Sequence, residues 1–183
     1  MQDSFLALFK HFGAEKVSSS IHKLKITDEG ENELTIDCDS LNFKGMESEE
    51  GLIHSFATKS KSDSDKVAIL LQNNLNVCDI ETEKVESTFD LKNLKISSDS
   101  KIKWDSSETN SPIMISSENK LSLFDPKSGE NCLEWSISKF DKILCFDQNP
   151  NLSEFYAFGG NSHSLYIYDL KNTSKVNFIF IHI

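Results

Sequence analysis

Between Val67 and Asp169 the chain repeats one order of apolar and polar positions three times. Leu75-Asn-Val77-Cys78-Asp79, Leu121-Ser-Leu123-Phe124-Asp125 and Leu165-Tyr-Ile167-Tyr168-Asp169 each carry alternating apolar positions, then a Cys or aromatic residue, then Asp. Alternation with a period of two marks a strand. The closing aspartates lie 46 residues apart (79 to 125) and 44 residues apart (125 to 169). Ahead of each copy comes a short apolar strand and a polar turn: Val67–Leu71 then Gln72-Asn73-Asn74, Ile113–Ile115 then Ser116 to Lys120, and Phe155–Phe158 then Gly159-Gly160-Asn161. These predict hairpins in which Asn and Gly take the positive-φ turn positions. Behind the Asp, Glu81-Thr82-Glu83 and Lys127-Ser128-Gly129 predict a second turn, and Lys84–Phe89 and Asn131–Trp135 a further strand. Lys101–Trp104 and Lys142–Phe146 then open the following copies.

Four short strands in a period of about 40–45 residues make the blade of a β-propeller. A weaker fourth copy precedes the three, with Ile21–Ile26 and Leu34–Cys38 forming a hairpin across Thr27 to Glu33; Leu34 stands 41 residues before Leu75. The fold class expected is therefore all-β, an incomplete propeller of about four divergent blades of four antiparallel strands. Its expected bounds are residues 16–176, after an N-terminal amphipathic segment at 1–15 and before a non-propeller tail at 177–183. Phe5, Leu8, Phe9 and Phe12 fall on one helical face, so the N-terminal segment reads as a short amphipathic helix packed on the first blade or docked on a partner. Ser60 to Asp65 reads as a solvated loop.

Composition narrows the partners. All nineteen basic residues are Lys, the net charge is −10, and Arg is absent. Arg supplies the planar fork that grips phosphate or guanine through two bonds, and an acidic chain repels polyanions. Direct nucleic-acid or membrane binding is not expected; the partners expected are other proteins. With 183 residues the chain is long enough to bury a core, so disorder is not the starting expectation. Cys38, Cys78, Cys132 and Cys145 lie 40, 54 and 13 residues apart with no C-x-x-C and no nearby His pair, so there is no zinc signature. Each falls in a predicted strand and reads as an ordinary buried thiol of an intracellular protein. The N-terminus lacks the charged start, sustained apolar run and cleavage site of an export signal, and no run approaches the roughly 20 apolar residues of a membrane span.

These strands resemble the WD40 repeat family, in which a Trp-Asp pair closes the third strand of a blade. Here that position holds Cys78-Asp79, Phe124-Asp125 and Tyr168-Asp169, which makes Asp79, Phe124, Asp125, Tyr168 and Asp169 the structural blade-closing residues. No blade shows the family's opening Gly-His dipeptide, so the His-Ser-Asp-Trp network that goes with it is not expected. Phe146-Asp-Gln148-Asn149-Pro150, then Ala157-Phe-Gly159-Gly160-Asn161 and Leu165-Tyr-Ile167-Tyr168-Asp169-Leu170, are similar to one branch of that family. That branch is the nucleolar WD-repeat factor of large-ribosomal-subunit biogenesis, with Phe158 standing here where Thr is usual and Tyr168 where Trp is usual.

The resemblance implies a non-catalytic interaction scaffold in ribosome biogenesis and rRNA processing, located in the nucleolus or nucleus. Its partners would be the pre-ribosomal particle and a remodelling ATPase. The alternative is a cytosolic adaptor in vesicle traffic or ubiquitin ligation, which the same fold serves. A closed ring of seven blades needs close to 300 residues, and the segment from Lys175 to Ile183 stops where the branch continues. The expectation is an incomplete product, such as a truncated gene model.

No enzyme signature competes. There is no nucleophile elbow, P-loop, dinucleotide loop or zincin helix, and Gly159-Gly160 reads as a hairpin turn, not a phosphate cradle. His11, His22, His54, His163 and His182 have no paired spacing and read as surface or turn residues. Asp28 to Glu33 resembles a calcium loop in its alternating carboxylates but lacks the ligand order and closing Glu. No catalytic, metal or cofactor residue is expected. Trp104 and Trp135 are the candidate interaction anchors, since Trp dominates binding hot spots; burial between blades is the competing reading.

Overall fold

The run Val67–Leu71 is apolar at every position, which a strand tolerates only when both its faces are covered. A computed structural model describes residues 2–12, 17–28, 34–44, 46, 52–59, 65–104, 112–136, 142–149, 151, 152, 154–161, 164–169, 181 and 182. In it the chain is all-β, with no helix among the described residues, and its strands form four antiparallel sheets, none of them closed on itself.

The first sheet holds β1 (Gln2–Phe12), β2 (Val17–Asp28) and β3 (Leu34–Leu41). The second is the meander β4 (Ser55–Thr58), β5 (Lys66–Leu70), β6 (Asn74–Asp79) and β7 (Lys84–Asp90). The third repeats it with β8 (Ile102–Trp104), β9 (Ile113–Ser117), β10 (Lys120–Asp125) and β11 (Glu130–Ser136). The fourth repeats it again with β12 (Ile143–Gln148), β13 (Phe155–Gly160), β14 (Ser164–Asp169) and β15 (Ile181–His182).

Side-chain alternation along the strands stacks these sheets face to face. In β5, Val67 and Ile69 join Ile21, Phe43 and Ile53 against the first sheet, while Ala68 and Leu70 join Ile102, Trp104, Ile113 and Ile115 against the third. In β9 the sides swap partners: Ile113 and Ile115 face the second sheet and Met114 faces Ile143, Tyr156, Phe158 and Tyr166 of the fourth. Burying an Ile, Leu or Val fully contributes about 1.5–3 kcal/mol, so these two-sided strands dominate the stack. β7 alternates half-buried and exposed positions, and most of β11 is exposed, as suits the outermost strands.

The repeat extends to irregularities. The β6–β7 ladder slips between Val77 and Cys78, and the β10–β11 ladder slips between Leu123 and Phe124, each just ahead of the closing aspartate. The extra residue lies on the outer strand, Glu86 in β7 and Cys132 in β11. In β7 it turns Val85 toward the first sheet while Phe89, an even number of positions on, packs toward the third. In β14, Tyr166 and Tyr168 face the third sheet.

Near both ends of the chain the described residues form strands. Gln2–Phe12 is a strand, not an amphipathic helix, paired with β2 along its whole length from Gln2↔Thr27 to Phe12↔Val17. The helical spacing of its Phe residues competes with a period of two, and pairing prevails: Leu6 and Leu8 pack toward the second sheet. Residues 2–12 are thus a strand of the first sheet. Of residues 177–183, Ile181 and His182 are described, and they pair with Leu165 and Ser164 as the fourth strand of the last sheet.

Turn chemistry also departs from expectation. The positive-φ positions are Glu83 (51°), Glu118 (54°) and Gly129 (74°) among the described residues. Gly159 and Gly160 are in strand β13, paired with β12 and β14, and do not form a turn. A Cβ on Gly159 would stand 2.8 Å from Cys145 Sγ, so the glycine accommodates a neighbouring strand. At Gly129 a Cβ would meet the Phe89 ring at 3.2 Å, and the left-handed backbone disfavours any side chain. Gly129→Ala is expected to lower unfolding free energy by about 1–2 kcal/mol, read from urea titration; an unchanged midpoint would refute the Gly129–Phe89 contact.

Candidate functional site

Asp79, Asp125 and Asp169 end the equivalent strands β6, β10 and β14. Asp79 Oδ1 accepts hydrogen bonds from Thr82 N at 2.7 Å and Thr82 Oγ1 at 2.8 Å, tying down the turn between β6 and β7. Asp125 Oδ1 accepts from Lys127 N at 2.8 Å in the turn after β10. These bonds to the charged form hold both carboxyls below the usual range. Asp169 ends β14 opposite Phe155. Phe124 is buried, with Phe89 edge-on at 5.1 Å. Tyr168 is half-buried, edge-on to Phe158 at 5.3 Å, and burial followed by the neighbouring Tyr166 raises its phenol pKa. Asp79 and Asp125 therefore cap turns, while Phe124 and Tyr168 fill the spaces between sheets.

Trp104 is 5% exposed in the cluster between the second and third sheets, with Lys59 Nζ 5.9 Å from its ring centroid. That burial removes it as a surface anchor. Trp135, on the edge strand β11, is half-buried against the cluster between the third and fourth sheets. Only Cys78 of the four thiols is buried, and burial followed by the Glu86 charge pushes its pKa up to about 12. Cys38, Cys132 and Cys145 are exposed, contrary to the expectation of buried thiols. All four do sit in strands, but on faces or edges that no sheet covers in three cases.

Ionic contacts run between neighbouring sheets. Lys103 of β8 pairs with Asp147 of β12, and Lys142 Nζ lies 2.9 Å from Asp99 Oδ2 in the connection from β7 to β8. Each is largely solvent-exposed, so these pairs set register more than they add stability. A cleft of about 400 Å³ beside β2 and β3 is lined by Ser19, Ile21, Leu41, Phe43, Lys44 and Ile53 among others. Among the described residues of its lining Lys44 is the one charged side chain.

His54 is buried, not a surface residue. Its Nε2 donates to Gln72 Oε1 at 3.0 Å, the Gln72 amide donates to Ile96 O, and His54 Nδ1 has no partner. Burial lowers the imidazole pKa, opposed by the Gln72 bond and assisted by Lys10 and Lys101. The folded chain therefore holds His54 neutral while the unfolded chain takes up its proton below about pH 6.5. Stability from this group is complete above that value and is lost as pH falls through it toward the folded pKa. Urea titrations at pH 5 and pH 7 are expected to show a steeper acid loss for the unaltered chain than for His54→Gln; equal slopes would exclude the group.

One cluster had no signature in the sequence. Cys38 Sγ lies 3.4 Å from His22 Nδ1, and His22 Nε2 lies 2.8 Å from Ser20 Oγ. Cys38 and His22 are 16 residues apart, and the β2–β3 register (Leu24↔Cys38, His22↔Ser40) makes them diagonal neighbours. The signal was the hairpin across 27–33: fixing its register would have brought the two together.

Of the remaining histidines, His11 and His182 lie in β1 and β15, and His163 falls outside the described residues. So do most of the Asp28–Glu33 run and most of the Ser60–Asp65 loop. Among the described residues no group of three or more His, Cys, Asp or Glu could hold a metal ion, and no helix is long and apolar enough to cross a membrane. No protein-family model matches this chain, and no curated protein matches it in sequence.

Proposed function

We propose that this chain is a non-catalytic docking scaffold, a run of WD40-like propeller blades whose turns and outer strands are presented to other proteins. The observation that supports this best is the face-to-face stacking of four sheets, three of them meanders at the period of the sequence repeat. A row of sheets, each braced by its neighbours, holds its turns in fixed relative positions and offers an extended surface with little ordering cost on binding. The net charge of −10 and the lack of Arg favour protein partners over nucleic acid.

By resemblance, the assembly served is the precursor of the large ribosomal subunit in the nucleolus, with a remodelling ATPase as a later partner. The test is to tag the full chain, image it and sediment cell extracts. Nucleolar signal co-sedimenting with large-subunit precursors supports the reading. A purely cytoplasmic or membrane-associated signal overturns it and favours an adaptor in vesicle traffic or ubiquitin ligation.

A further inference from the structure

The three exposed thiols differ in what faces them. The sulfurs of Cys132 and Cys145 approach backbone carbonyls, Glu130 O at 3.7 Å and Gly159 O at 4.0 Å. Cys38 faces an imidazole, whose far nitrogen is held by Ser20 Oγ and whose ring meets Phe9 edge-on at 4.8 Å. With Nε2–H donating to Ser20, Nδ1 is left as the acceptor for the thiol proton. A nucleophile, a base within hydrogen-bond reach and a third group that orients the base is the arrangement that activates a side chain for attack.

The surroundings keep that sulfur approachable. β3 is an edge strand, paired on one side only by β2, and Ile36 to Ser40 are exposed. Register and alternation put Ala7, Phe9, Ser20, Leu24, Ile36 and Ser40 on the face shared by Cys38 and His22. Lys23, Lys25, Asp37 and Asp39 alternate to the opposite face, the side on which Leu6, Leu8, Ile21 and Leu41 pack toward the second sheet. His22 is thus the one titratable side chain in contact with the thiol among the described residues of this face.

We propose that Cys38 is a reactive thiol that undergoes exchange with small disulfides such as glutathione disulfide, with His22 as its base and Ser20 as the residue that positions the base. The thiol proton passes to His22 Nδ1 as sulfur attacks one sulfur of the disulfide. The disulfide's S–S bond breaks as the mixed disulfide forms, and the departing thiolate takes the proton from His22 and leaves as glutathione. One disulfide is consumed and one made, so no further oxidant is needed. Cys132 and Cys145, also exposed but facing backbone carbonyls, are controls within the same molecule.

Treating the full-length chain with glutathione disulfide and mapping modified peptides over time measures all four thiols at once. Cys38 is expected to react at least about tenfold faster than Cys132 and Cys145. In His22→Gln its rate should fall to theirs while theirs stay unchanged. Cys78, buried between the first two sheets, reports in the same map whether the first sheet remains docked, because it is protected only while that packing holds. Rates for the three exposed thiols within about twofold of one another in the unaltered chain overturn the proposal, whatever the variant does. A Cys38 rate still high in a His22→Gln protein whose Cys78 remains protected overturns it equally.

Discussion

Trp104→Ala is expected to lower the unfolding free energy by about 3–5 kcal/mol, the range for removing a large aromatic side chain from a core. Trp104 sits at the junction of the second and third sheets, in one cluster with Ala68, Leu70, Leu75 and Val77 from one side and Ile113, Ile115 and Phe124 from the other. The indole is 5% exposed, so alanine leaves a void that neither sheet can fill without sliding along the other. Trp104→Phe should recover part of the loss by keeping a ring there. Urea titration measures the effect, and hydrogen exchange locates it: β5, β6, β9 and β10 are expected to lose protection together, because the junction in the middle of the stack has failed. A change smaller than about 1 kcal/mol, typical of surface substitutions and their neighbours, would contradict the burial described here and restore Trp104 as a surface anchor.

Phe158→Ala should cost about the same, again 3–5 kcal/mol, but be felt locally. Phe158 is 1% exposed and lies between the third and fourth sheets, stacked with Tyr156 and Phe146 and edge-on to Tyr168. Its contacts all belong to the last junction of the row. Where repeats touch only their neighbours, stability is a sum of unit and junction contributions, and an end unit can open alone. Amides of β12, β13 and β14 should therefore exchange faster in Phe158→Ala while those of β5 and β6 keep their protection. Uniform loss of protection across all four sheets would show instead that the chain unfolds as a single cooperative unit.

The repeat was legible in the sequence because burial and strand period act together there. In Leu75-Asn-Val77-Cys78-Asp79 each apolar position is fixed by the sheet it faces, and the Asp by the turn it caps, so β6, β10 and β14 fall where the pattern placed them. The first twelve residues were harder. Phe5, Leu8, Phe9 and Phe12 satisfy a helical stripe, and what makes them a strand is the partner β2, a non-local pairing that local spacing cannot reveal. The same reason hid β15, whose pairing with β14 spans the undescribed segment 170–180.

Site residues divided along similar lines. Asp79 and Asp125 stood out by their position in the repeat, whereas Cys38, His22 and Ser20 come together only through register across a hairpin. His54 looked like any turn histidine because its burial depends on Gln72 and the carbonyl of Ile96, residues 18 and 42 positions downstream in sequence.

The two-sided burial of Val67-Ala-Ile-Leu-Leu71 has a kinetic side. A strand that is apolar on both faces has no solvent-compatible surface to fall back on once either neighbouring sheet lifts away. Five consecutive apolar residues with no charge, already in strand form, then become a template for pairing with other chains. Lys66 at one end and Gln72 at the other are the polar residues that bracket it. Opening at the central junction would thus tend to end in aggregation before the sheets could close again, so the working lifetime of this protein would follow its rate of opening more than its equilibrium stability.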